Sequence, residues 1–172
     1  MKWDTRHLLL HIRVLLGIVI LGLVLSGITA FPLLHEVEAL RGWMLGRSTP
    51  APIIGWIGKV HEALLFTQGE YPFLSYGTDW LAFGHLVIAI FFIGPWINPV
   101  RNAWVVRAGQ IACLLVIPTA LICGEIRGIP LWWRMIDSAF GVFGLVPLYL
   151  ASHLIQRLAK SNGVAAPSPM YK

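Results

Sequence analysis

The sequence predicts an all-α integral membrane protein: a four-helix bundle with an amphipathic helical segment in its first outer loop. Two observations carry this expectation. Of the 172 residues, 57% are hydrophobic and only 12% are charged, against about 25% charged in a typical soluble domain, and the mean hydropathy is +0.73. Four runs, residues 14–34, 80–100, 108–124 and 138–156, contain no Asp, Glu, Lys or Arg. Each approaches the ~20 residues that a helix needs to cross a ~30 Å hydrocarbon core. Lipid offers the backbone no hydrogen-bond partner, so such runs must satisfy their own amides as helices. Helices are expected at 8–34, 78–98, 103–124 and 131–158, in a single domain over 1–160. Residues 161–172, rich in Gly, Ala, Pro and Ser, are expected to form a disordered cytoplasmic tail.

The first run has basic residues before it (Lys2, Arg6, Arg13) and small ones after it (Ser26, Gly27, Ala30). Its apolar stretch exceeds the ~7–15 residues of a leader, and Ile28 suits the −3 position before Ala30 poorly, so a retained helix is expected. The second helix is expected to start at a Thr78 or Asp79 cap and to end at Gly94-Pro95. The short turn at 97–102 then forces a tight hairpin into the third helix. Pro118 and Pro147 are expected to kink the third and fourth helices.

The outer connection, 35–77, is too long for a turn. Ile53, Trp56, Ile57, Val60 and Leu64 share one helical face and Lys59 and Glu62 lie off it, which is the pattern of an interfacial amphipathic helix. Residues 35–45 either continue the first helix or begin a second surface helix. Gly46, Ser48, Pro50 and Pro52 separate the two segments.

Charge sets the expected orientation. Four crossings return the chain to its starting side, which then carries Lys2, Arg6, Arg13, Arg101, Arg107, Arg157, Lys160 and Lys172 against Asp4 alone. By the positive-inside rule both termini are cytoplasmic, in a bacterial inner membrane. The net charge of +5 is a topology signal. No basic patch is interleaved with aromatics, so nucleic acid is not an expected partner. The expected partners are membrane lipids, a second copy of the chain, or a larger membrane complex. Cys113 and Cys123 lie ten apart on one helix, about 15 Å along its axis, too far for a disulfide.

The stretch GEIRGIPLWWRMID, residues 124–137, concentrates charge between two apolar runs. Arg134 and Asp137, three apart, are expected to pair on one helix face. Trp132 and Trp133 fit an aromatic belt, and Glu125 and Arg127 cap the preceding helix. With Asp79 and His85 from the second helix, the set Asp79, His85, Glu125, Arg127, Arg134 and Asp137 is the candidate ligand-binding site. It would be an outward-facing polar pocket for a lipid headgroup, a quinone or a small solute. A charge at a helix centre costs ~2.5–3.5 kcal/mol, less near the interface, so the same residues could equally fix packing by pairing. YGTDWLAFGH and RGIPLWWRMID resemble stretches of small bacterial membrane proteins.

On the cytoplasmic half, His11 and His153 lie just inside the first and fourth helices. Two imidazoles facing across a bundle are what a bis-histidine haem b requires. Arg6-His7-Leu-Leu-Leu-His11, with the run ending Leu25-Ser-Gly27, resembles the first helix of cytochrome b561-type four-helix subunits. That resemblance implies His11 and His153 as cofactor ligands and electron transfer as the function. The fourth helix carries one histidine where the diheme members have two, and position 139 is Ala. His35 with Glu38, joined by His61 and Glu62, is a weaker metal option, and no metal site is expected. No P-loop, G-x-S-x-G or H-E-x-x-H is present, and nothing in the sequence decides whether the protein is an enzyme.

Overall fold

The computed structural model describes residues 5–163. They form six helices, with no strand among the described residues: α1 Thr5–Ala30, α2 Leu33–Leu45, α3 Ala51–Glu70, α4 Pro72–Ile97, α5 Ala103–Ile126 and α6 Leu131–Ser161. α1, α4, α5 and α6 are long and apolar enough to cross a membrane, with mean hydropathy from 1.6 to 2.7 over their most apolar windows, which suggests a multi-pass membrane protein. Their surfaces agree with their composition: Leu81 is 70% exposed and Phe143 77% exposed. Apolar exposure on this scale suits an apolar surrounding.

Several boundaries differ from the expected ones. α1 stops at Ala30, and the helix does not run on to residue 34, because Pro32 lacks an N–H and its ring clashes with a preceding helical turn. The chain restarts at Leu33, so 35–45 belongs to a separate helix, α2. α4 begins at Pro72, six residues before the expected Thr78 or Asp79 cap. Proline at a helix start sacrifices only an amide that has no intrahelical acceptor. α4 also continues through Gly94-Pro95 to Ile97. Pro95, Pro118 and Pro147 all sit within uninterrupted helix. At the other end, α6 reaches Ser161, with Asn162 as its C-cap. The expected tail from 164 onward lies outside the described residues.

The chain divides into two compact units: the described parts of the first are 5–21 and 89–163, and the second is 22–88. In the first unit, Leu8, Ile12 and Leu16 bury one face of α1. Arg13 Nε donates to the Trp96 carbonyl at 3.3 Å, and Trp96 Nε1 donates back to the Arg13 carbonyl at 3.1 Å. The guanidinium also stands over the indole, 5.6 Å from its centroid. Asn102 closes the α4–α5 turn by donating to the carbonyls of Gly94 and Asn98.

α6 packs on α5 along a stripe of small and apolar residues: Ser138, Gly141, Leu148, Ala151, Ile155, Leu158 and Ala159 are buried. A Cβ placed on Gly141 would lie 2.5 Å from the Cys113 carbonyl oxygen, and one on Gly144 2.8 Å from Cys113 Sγ. The backbones approach closely because those side chains are missing, a common device where lipid supplies no hydrophobic drive between helices.

In the second unit α2 packs on α3. Val37, Ile57 and His61 are buried at this hairpin, and the α3 face carrying Ile53, Ile57, Val60 and Leu64 is the less exposed one, with Lys59 and Glu62 exposed. Gly27 admits α4, since a Cβ there would lie 2.9 Å from both the Ala82 carbonyl oxygen and Leu86 Cδ2.

Replacing Gly141 by Val should therefore lower the melting temperature in detergent markedly, at an overpacking cost of ~1–3 kcal/mol or more. Gly22→Ala, where a Cβ meets nothing within 4 Å, should melt like wild type. Equal melting of the two variants would show that α5 and α6 do not touch at Cys113.

Candidate functional site

The α5–α6 turn is built from its glycines. Gly128, at φ +66, is the left-handed residue past the α5 C-cap Arg127. Its N–H donates to the Glu125 carbonyl at 3.0 Å, and the Ile129 N–H donates to the Gly124 carbonyl at 2.9 Å. This pair of bonds is a Schellman closure of the helix end. Pro130 then precedes α6 as its N-cap.

Arg134 reaches back into this turn. Its Nη1 donates to the Leu121 carbonyl at 3.2 Å and forms an ion pair with Glu125. Its stem crosses Gly124, where a Cβ would lie 2.5 Å from Arg134 Cδ. The expected Arg134–Asp137 pair is thus replaced by Arg134–Glu125. Helical side chains lean toward the helix N-terminus, so Arg134 points at the end of α5 and away from Asp137, one turn further on. The negative end of α5 adds a further attraction for the guanidinium. The Arg134 side chain is 14% exposed and that of Glu125 71%. Arg134 Nε and Ser138 Oγ are buried and have no hydrogen-bond partner among the described residues. Arg127 is exposed and Asp137 half-buried.

Asp79 and His85 belong to the second unit. His85 donates from Nδ1 to the Leu81 carbonyl of its own helix at 2.9 Å. Asp79, half-buried, lines a cavity of about 360 Å³ formed by Ala30, Phe31, Pro32, Leu33, Leu34, His35, Leu64, Gln68, Ser75, Thr78 and Asp79. His85 is not among these residues. It lies six positions along α4, about 9 Å further down the axis, and on a different face. The cavity exists because α1 breaks at Phe31-Pro32, and α3 and the first turns of α4 wall the gap. Ser75, Thr78 and Asp79 follow one another at i, i+3 and i+4, which places all three on one face of α4. Asp79 has no ion pair among the described residues.

His11 and His153 are both exposed, off the buried stripes of α1 and α6. His11 Nδ1 donates to the His7 carbonyl at 2.7 Å. A haem held by this pair would lie on the outside of the first unit, not in its core.

Of the metal option, His35, Glu38 and Glu62 are exposed and His61 is buried. His61 Nδ1 faces Arg41 Nη1 at 3.5 Å, and Arg41 is half-buried. Among the described residues no three of His, Cys, Asp and Glu converge as a metal site would require. The residues that sequence reasoning missed are the pocket walls at 30–35, with Gln68, Ser75 and Thr78. Only Pro32, inside an otherwise continuous apolar run, signals the break that creates the pocket. Compared with protein-family models, characterised proteins and solved structures, nothing matches this chain.

Arg134→Ala removes a charged hydrogen bond and the packing of the stem, so it should destabilise the protein by ~1.5–3 kcal/mol. Glu125→Ala breaks the same ion pair from its exposed side and should cost ~0–1 kcal/mol. Gly124→Ala, which displaces the Arg134 stem, should resemble Arg134→Ala in thermal melts. A Glu125→Ala variant that melts as low as Arg134→Ala would contradict this division of the energy.

Proposed function

We propose that this chain is a bacterial inner-membrane protein that binds a small amphiphilic ligand, a lipid, quinone or similar molecule, in the Asp79 pocket. It acts as a ligand-binding protein or as the ligand-carrying subunit of a larger membrane complex. The observation that carries this reading is a cavity of about 360 Å³ with a half-buried carboxylate that has no ion pair among the described residues. Ligand pockets typically measure ~300–1,000 Å³ and combine mostly apolar walls with a few convergent polar groups. A carboxylate within a span-forming helix is costly unless it serves some purpose.

In this reading both termini are cytoplasmic and the α2–α3 segment lies outside, its less polar face at the membrane interface. The basic residues Arg6, Arg13, Arg101, Arg107, Arg157 and Lys160 fall on the cytoplasmic side, and seven carboxylates, Glu36, Glu38, Glu62, Glu70, Asp79, Glu125 and Asp137, fall on the other. The pocket then opens near the outer boundary, level with the exposed aromatics Tyr71, Phe73, Tyr76 and Trp80.

Two measurements test the proposal. Protein extracted in mild detergent should carry a non-covalent adduct in native mass spectrometry, and Ser75→Trp, which fills the cavity, should lose it. A wild-type protein that retains no ligand, even after incubation with native lipid extract, would refute pocket binding. For orientation, alkaline phosphatase fused at the C-terminus should be inactive and inserted near Ser48 should be active. The reverse pattern would turn the pocket to the cytoplasm.

A further inference from the structure

We propose that the group recognised in the Asp79 pocket is a primary ammonium carried on an apolar body, with the Asp79 carboxylate as its counter-ion. This inference rests on the pocket-binding proposal and adds the chemical class of the ligand.

Charge decides the sign. Asp79 is the one formally charged residue among those lining the cavity, and no Lys or Arg accompanies it. The two helix ends at the break nearly offset one another. The last carbonyls of α1, at Ala30, carry a partial negative charge, and the first amides of α2, at Leu33 to His35, a partial positive one, each about half an elementary charge. The carboxylate is left to set the potential. An anionic ligand would meet like charge, and a neutral one would leave the half-buried carboxylate uncompensated. A bare metal ion lacks ligands there, since no three metal-binding side chains converge among the described residues.

Hydrogen bonding decides the kind of cation. A quaternary ammonium is recognised by a cage of aromatic faces, and Phe31 is the only aromatic lining this cavity. A primary ammonium instead offers three N–H donors. The wall presents four acceptor groups, enough for all three: the Asp79 carboxylate, the Ser75 and Thr78 hydroxyls on the same face of α4, and the Gln68 amide oxygen from α3. Ala30, Phe31, Pro32, Leu33, Leu34 and Leu64 supply the remaining, apolar wall. The exposed Leu25 and Ile28 of α1 extend apolar surface along the same helix, where a hydrocarbon chain can lie. An aminophospholipid headgroup and a soluble alkylamine share this chemistry.

The test uses the full-length protein in a non-ionic detergent and follows tryptophan fluorescence, since Trp80 adjoins Asp79. The probes are laurylamine, lauryl alcohol, lauryltrimethylammonium and lauryl sulfate. Wild type should bind laurylamine at least about tenfold more tightly than the other three, the scale of one charged hydrogen bond. D79N should lose that advantage and bind the alcohol as wild type does. T78V, which keeps the carboxylate, should weaken only the amine, by several-fold, and it guards against a D79N protein that folds poorly. If the alcohol or the trimethylammonium probe binds as well as the amine, or D79N keeps the preference, the ammonium assignment is wrong while pocket binding stands. If no probe binds and Ser75→Trp changes nothing, both proposals fall. Nanodiscs separate the sources. Selective retention of phosphatidylethanolamine over phosphatidylglycerol, lost in D79N, identifies a lipid headgroup. Displacement of laurylamine by soluble ethanolamine, with no lipid retained, identifies a free amine.

Discussion

The structure depends on how closely two of its long apolar helices approach. In an apolar surrounding, burial of leucine against leucine gives little net drive, and helix association rests on packing contacts and on hydrogen bonds between helices. At the α5–α6 contact Gly141 and Gly144 bring α6 against the Cys113 backbone and thiol. Gly109 makes room in the same way for the Phe92 ring and Leu148. That proximity lets Gln110 Nε2 donate to the Leu148 carbonyl at 3.2 Å and lets Arg134 reach the Leu121 carbonyl. Widening the gap by a single methyl group would strain all of these contacts together.

The two carboxylates nearest to cations or cavities behave differently for a physical reason. Glu125 is largely in solvent, so its pairing with Arg134 is screened and contributes little. Arg134 is mostly enclosed, and its worth lies in the carbonyl it satisfies and the surface its stem covers. Asp79 is half-buried beside open volume, where a charge gains most from a partner that arrives from outside.

The four long apolar helices were legible because charge-free runs of the right length have few other uses. The α3 residues Ile53, Trp56, Ile57, Val60 and Leu64, which share a face by their spacing, are buried or half-buried. The end of α1 was misplaced because hydropathy runs unbroken across Pro32, and the start of α4 because Gly77 and Thr78 mimic a boundary. In the site, Asp79 was singled out by being ionisable next to an apolar run, but its surroundings were not foreseen. They come from residues 30–35, 64–68 and 75–79, brought together by a break that periodicity does not register. The Arg134–Asp137 expectation considered spacing and overlooked the lean of helical side chains toward the N-terminus. His61 was read as a surface ligand, whereas α2 covers it and Arg41 stands beside it.

The Schellman turn has a consequence for biogenesis. Only residues 127–130 separate α5 from α6, so bringing them together closes a very short loop, and the entropy of closure is correspondingly small. Contacts such as Leu121–Arg134 and Cys113–Gly141 join residues close in sequence, the kind of local pairing that forms quickly. α5 and α6 are thus the pair of long helices most ready to associate on their own, and their hairpin is the expected nucleus on which the remaining elements of that unit condense.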